Sequence, residues 1–268
     1  MNNNRNIKLI ATDMDGTLLN ANAELSDYNK EILQTLIKNG IEIIFATGRP
    51  FESLKKFKDA INNDNCSIIC NGAAVADTNG KFLYTKSLDK DSSKMIIDLF
   101  NENKNDTCLN IYSDGKYYIS EKEFYFKKYI EKEGIENIIV GLEKIEVFDF
   151  VKVLFLGEHE KLLRLQENIN KSIQNADAVF SHPEFLEITP KGVNKANALK
   201  WLCDKKKIDY KNIMAFGDNY NDLDMINLAG IGIAVQNAVD EAKSNADYIA
   251  PSHDEDGVGK FLKEFFEL

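Results

Sequence analysis

The apolar run Ile7 to Ile10, carried on by Ala11 and Thr12, stops at two carboxylates and a glycine, Asp13-Met14-Asp15-Gly16-Thr17. So apolar a run suits a strand buried on both faces, as in parallel sheets covered by helices. Carboxylates at the end of such a strand are rarely left without a partner, because burying an ionised group alone is expensive. A divalent cation is the simplest partner, since hard oxygen ligands suit Mg²⁺. With the metal in place, one of the two carboxylates can attack a phosphorus atom. One short segment therefore constrains both the fold and the chemistry.

The same alternation runs along both ends of the chain. Strand-like runs are expected at Ile41 to Ala46, Ser67 to Cys70, Ile213 to Phe216, Gly232 to Val235 and Tyr248 to Ala250. Helices are expected between Tyr28 and Asn39, at Phe51 to Ile61, Asp222 to Leu228, Ala238 to Lys243 and Val258 to Phe266. The middle reads differently. It has hairpins around Thr78-Asn79-Gly80 and Ser113-Asp114-Gly115, helices at Ser92 to Phe100, Phe124 to Glu133 and Glu160 to Ile173, and strands at Val147 to Leu156, Ala178 to Ser181 and Phe185 to Thr189. The fold class expected is α/β: a Rossmann-like parallel-sheet core, residues 1–85 plus 184–268, with an inserted α+β cap domain at 86–183.

Charge and cysteines narrow the partners. The 268 residues carry a formal net charge of −10, which argues against a nucleic-acid partner, since that needs a basic face. An anionic substrate must then be attracted locally, by metal, lysine or helix N-termini. No apolar stretch approaches membrane-spanning length, so no membrane partner is expected. Met1 to Asn6 is a polar flank unlike a secretory signal. The four cysteines suggest no disulfide framework, which points to a reducing cytoplasm. Cys66 and Cys70 lack a second Cys or His pair and read as small core residues on a strand. Nothing in the sequence marks an oligomeric state.

Four core strands end in unusual polar residues: Asp13 to Thr17, Thr47-Gly48-Arg49-Pro50, Asn71-Gly72-Ala73, and Gly217-Asp218-Asn219-Tyr220-Asn221-Asp222. Ligands of open parallel sheets bind outside the carboxyl ends of the strands, so all four sets converge on one crevice. In this order, together with a lysine before a helix, they resemble the haloacid dehalogenase superfamily of phosphohydrolases. The long insert, with Asn71-Gly72-Ala73 ahead of it, resembles that superfamily's Cof-type branch with its large α/β cap.

The resemblance implies a Mg²⁺-dependent phosphatase that takes small phosphorylated metabolites, sugar phosphates first among them. Asp13 would be the nucleophile, forming an aspartyl-phosphate. Asp15 would be the general acid and base, its main-chain carbonyl touching the metal. Asp218 would complete the metal shell with Asp13, and Asp222 would support it. Met14, Gly16 and Thr17 would meet phosphate oxygens by amide or hydroxyl, as would Thr47 and Gly48. Arg49 either reaches substrate or pins its loop. Asn71, Gly72 and Asn221 complete the phosphate and substrate set. Lys195 would offset charge on nucleophile and phosphoryl group. The family pattern has glycine after this lysine where Ala196 stands here, and Lys191-Gly192 is the rival.

Three other readings are available. A sugar phosphomutase would use the same aspartates. A non-catalytic phospho-ligand-binding protein would be favoured by a missing first carboxylate, but Asp13 is present. An EF-hand needs a third acidic position and a flanking helix, whereas an apolar strand precedes Asp13. His159, His182 and His253 read as surface or loop residues. Trp201 and the aromatic stretch Tyr112, Tyr117, Tyr118, Phe124, Tyr125, Phe126 and Tyr129 read as core.

Overall fold

The computed structural model describes residues 6–120 and 138–268. The helix expected over Phe124 to Glu133, and the aromatic residues Phe124, Tyr125, Phe126 and Tyr129, lie outside the described residues. The chain forms two compact units, one of Met1–Asn79 with Asn194–Leu268 and the other of Gly80–Val193. The insert is thus wider than 86–183 at both ends. The reason at its far end is plain: the apolar strand Phe185–Pro190 pairs within the insert's own sheet.

The first unit begins with β1 (Leu9–Thr12), α1 (Asp27–Lys38), β2 (Glu42–Phe45), a 3₁₀ turn leading into α2 (Lys55–Ala60), β3 (Ser67–Ile69) and β4 (Ala74–Ala76). Ser26 caps α1, its side chain accepting from the Asn29 amide, and the helix buries Ile32, Leu33 and Leu36 on one face.

The second unit follows with β5 (Phe82–Thr85), α3 (Lys90–Asn103), β6 (Thr107–Ser113), β7 (Lys116–Ile119), β8 (Ile138–Val140), β9 (Phe150–Gly157), α4 (His159–Ser172), β10 (Ala176–His182) and β11 (Phe185–Pro190). Six of its strands form a sheet in the order β10-β11-β9-β6-β7-β8. The β6–β7 hairpin turns through Asp114 and Gly115, both at positive φ, as a tight two-residue turn requires. One sheet face buries Leu109, Ile111, Val153, Phe155, Leu186 and Ile188 in a single cluster with Ile96 of α3 and Leu162 of α4.

The chain re-enters the first unit through α5 (Lys195–Lys206), β12 (Ile213–Gly217), α6 (Leu223–Leu228), β13 (Ile231–Val235), α7 (Asp240–Asn245), β14 (Tyr248–Ala250) and α8 (Gly257–Phe266). The core sheet is five-stranded and parallel, ordered β14-β13-β12-β1-β2. Its central strands are buried throughout, which is why they read as unbroken apolar runs.

Several expectations need correction. Cys70 is buried, but it opens a turn at positive φ rather than sitting on a strand, and Cys66 is half-buried ahead of β3. Trp201 is half-buried, not core, with the Lys205 ammonium 5.7 Å from its ring centroid. The helix expected at Ala238 to Lys243 begins two residues later, at Asp240. The surface reading of His159 and His182 stands: both are exposed, the first opening α4 and the second ending β10. His253 is half-buried and bonded to the turn after β1, so it is more than a surface residue.

Candidate active site

The sheet order alone brings the acidic motifs together. Strand β1 lies between β12 and β2, so the residues after Thr12, Gly217 and Phe45 leave the sheet side by side. The Asp13 amide donates to the Phe216 carbonyl at 3.0 Å, and the Ala46 amide to the Thr12 carbonyl at 2.9 Å. Beyond β2, the Thr47 amide donates to Ile68 O at 2.9 Å, which brings in the turn at Asn71.

At this edge Asp13, Lys195 and Asp222 are almost wholly buried. The Lys195 ammonium donates to Asp13 Oδ1 at 2.5 Å and to Asp222 Oδ1 at 2.7 Å. Burial opposes a charged lysine, but Asp13 and Asp222 overcome it and hold the ammonium's pKa above the ordinary value. Asp222 Oδ2 accepts from the amides of Asp218 and Asn219 at 3.0 and 3.1 Å, closing a capping box with the Asn219 side chain. Both Asp222 oxygens are therefore engaged. Asp218 Oδ1 accepts from the Thr17 hydroxyl at 2.7 Å.

Carboxylate oxygens of Asp13, Asp218 and Asp222 lie within 4.8 Å of one another. Burial raises the pKa of Asp13 well above the usual carboxylate range; Lys195 works against this, and the charges of Asp222 and Asp218 add to it. Asp218 is likewise raised, first by burial. Clustered hard oxygens that resist ionising next to one another are the donor set a small divalent cation fits. The position of Asp218 also depends on a glycine: a Cβ on Gly16, which has φ +82°, would stand 2.7 Å from Asp218 Oδ2.

Other expected site residues take more specific places. Asp15 is exposed, its two oxygens forked by Arg49 Nε and Nη2 at 2.7 and 2.6 Å. This contact ties the loop after β2 to the turn after β1. The Thr17 hydroxyl donates to Asp218 Oδ1, so here it supports a carboxylate of the cluster. The Met14 side chain is fully buried, and its carbonyl accepts the amides of Thr17, Leu18 and Leu19. The Thr47 hydroxyl accepts from the Arg49 amide at 3.2 Å, and a Cβ on Gly48 would press on the Asn71 amide group at 3.2 Å. Asn221 Nδ2 donates to Asn71 Oδ1 at 3.0 Å, with Asn71 itself in the left-handed region. Lys191 is exposed, whereas Lys195 sits beside Asp13.

Lys195 owes its place to a residue the sequence reading passed over. Asn194 N-caps α5, accepting from the Asn197 amide at 2.7 Å, and its Nδ2 donates to Asp224 at 2.9 Å. Gly72 completes the fit, because any Cβ there would collide with the Asn194 carbonyl. An Asn directly before a helical run was the available signal.

The raised carboxylates have a consequence for pH. In EDTA the folded protein holds protons on Asp13 and Asp218 that the unfolded chain has released, so their contribution to stability falls as pH rises. Thermal melts of the wild type and Asp13→Asn in EDTA, from about pH 5 to about pH 8, should diverge, with the Asn variant gaining on the wild type as pH rises. Parallel curves would contradict the electrostatic picture.

A family model described as haloacid dehalogenase-like hydrolase matches residues 10–262. The chain is 31% identical over 265 residues to the 5-amino-6-(5-phospho-D-ribitylamino)uracil phosphatase YcsE of Bacillus subtilis (strain 168), covering 97% of this chain and 96% of that one. It is 29% identical over 233 residues to an HMP-PP phosphatase of Enterobacter sp. (strain 638), covering 87% and 85%. A crystal structure of a haloacid dehalogenase-like hydrolase from Bacteroides thetaiotaomicron superposes with a TM-score of 0.88 at 28% identity, covering 97% of this chain and all of that one.

Proposed function

The chain belongs to the haloacid dehalogenase-like hydrolase family, and on that premise we propose that it is a Mg²⁺-dependent phosphatase of small phosphorylated metabolites. Sugar phosphates are the first substrates to consider. The observation that carries this reading is the meeting of Asp13, Lys195, Asp218 and Asp222, drawn from opposite ends of the sequence, in one buried cluster.

Asp13 and Asp218 would hold the metal, with the Asp15 carbonyl beside them. Asp222 acts from behind, because its oxygens are committed to Lys195 and to two main-chain amides. When bound, Mg²⁺ supplies positive charge to the phosphoryl oxygens and keeps Asp13 ionised. Asp13 Oδ attacks phosphorus in line, the bond from phosphorus to the ester oxygen breaks, and an aspartyl-phosphate forms. Lys195 and Thr47 stabilise charge on the non-bridging oxygens, which is where a loose phosphoryl-transfer transition state needs help. Asp15 protonates the departing alkoxide. It then takes a proton from the water that attacks phosphorus, which frees inorganic phosphate and regenerates Asp13. In the fork with Arg49 both Asp15 oxygens accept, which favours the ionised form, so Asp15 must leave the fork and take up a proton from solvent before it can act as the acid.

The reading is tested by phosphate release from a panel of phosphorylated metabolites with Mg²⁺. EDTA should abolish release and added Mg²⁺ restore it. Ca²⁺ should not restore it equally, being larger and less strict in geometry. Equal restoration by Ca²⁺ would overturn the metal assignment. Release that persists in EDTA would overturn the mechanism.

A further inference from the structure

We propose that Asn237 is a positioning residue, one that holds the Gly16 peptide and so presents Thr17 to Asp218. The proposal rests on the phosphatase reading only for its kinetic readout. Asn237 lies in the loop between β13 and α7, 221 positions along the chain from Gly16. Its Nδ2 donates to the Gly16 carbonyl at 2.7 Å, and its Oδ1 accepts from the His253 amide at 3.0 Å. His253 Nδ1 sits 2.7 Å from the Leu19 carbonyl, so that nitrogen must carry a proton. Asp254 Oδ1 accepts from the Ala21 amide at 2.8 Å. Side chains from two distant loops thus grip main-chain groups at Gly16, Leu19 and Ala21.

Gly16 is the residue of this turn that most needs such a grip. Without a Cβ and at φ +82°, little in its own sterics fixes its peptide orientation. The Gly16 carbonyl and the Thr17 amide share one planar peptide group, so holding the carbonyl also sets the direction in which the chain enters Thr17. Thr17 then delivers its hydroxyl to Asp218 Oδ1 at 2.7 Å. The same loop reaches the other side of that pair, because the Val239 amide donates to the Asp218 carbonyl at 2.9 Å. One loop therefore holds main-chain groups on both sides of the Thr17–Asp218 contact, Asn237 at Gly16 and Val239 at Asp218. Asn237 is itself exposed. Water can take over its hydrogen bonds when it is replaced, so global stability should change little and the loss should fall on the turn.

The test compares wild type, Asn237→Asp and Asn237→Ala by amide hydrogen exchange, thermal melting and kinetics with p-nitrophenyl phosphate. The Asp variant keeps an acceptor for the His253 amide but loses the donor to Gly16. In both variants the Leu18 and Leu19 amides should exchange about tenfold faster, while the amides of β12 keep wild-type protection and Tm stays near wild type. Turnover should fall about tenfold with KM little changed, because the ground-state contacts to substrate are left intact. Wild-type exchange in the turn would overturn the proposal. So would acceleration spread equally over the strands, which would mark Asn237 as a general structural residue. If the wild type released no phosphate at all, the phosphatase reading would fail while the exchange measurement still decided this one.

Discussion

Asp13→Asn is expected to lose at least about 10⁴-fold in turnover, since an amide oxygen cannot serve as the nucleophile and the aspartyl-phosphate cannot form. Its Tm in EDTA should equal or exceed that of the wild type. The substitution removes from the acidic cluster a carboxylate whose ionisation burial opposes, while Lys195 keeps its bond to Asp222 at 2.7 Å. Loss of activity with stability preserved separates a chemical role from a structural one. Phosphate release by a homogeneous sample and a thermal melt measure the two. Substantial residual turnover would identify another nucleophile, and a large fall in Tm would mean that Asp13 holds the fold together.

Lys195→Met is expected to fail in the opposite way, losing both activity and stability. The ammonium is fully buried and is the shared partner of Asp13 and Asp222, so its removal leaves two buried carboxylates facing each other. Breaking a buried ion pair from one side typically costs about 3–5 kcal/mol. Turnover should fall about 10³-fold or more, because charge on the phosphoryl group loses its nearest fixed cation. The two sites are coupled, so adding Asp13→Asn to Lys195→Met should recover part of the lost stability. Additive losses in that cycle would show that the two side chains do not act as a unit.

The sequence was most legible where chemistry and periodicity coincided. Asp13 and Asp218 each follow an unbroken apolar run, and the ends of neighbouring parallel strands have to meet. Individual hydrogen bonds were not legible, because they depend on angles that spacing does not encode. Nothing in the spacing foretells that the Thr17 hydroxyl lies on Asp218 or that Arg49 lies on Asp15. Asn237 and His253 gave no signal at all, since single polar residues in loops carry no period. The far edge of the insert was misplaced for a related reason: Phe185 to Thr189 is a short apolar run with nothing in its composition to say which sheet it joins.

The placement of β1 between β2 and β12 has a consequence during synthesis. Leu9 pairs in register with Ile213, so the middle of the sheet joins two strands 204 positions apart along the chain. Until β12 leaves the ribosome, one flank of β1 is an unsatisfied apolar edge, and the acidic residue after it has no lysine beside it. Such long-range closure slows folding and prolongs the time in which partial chains can pair with each other.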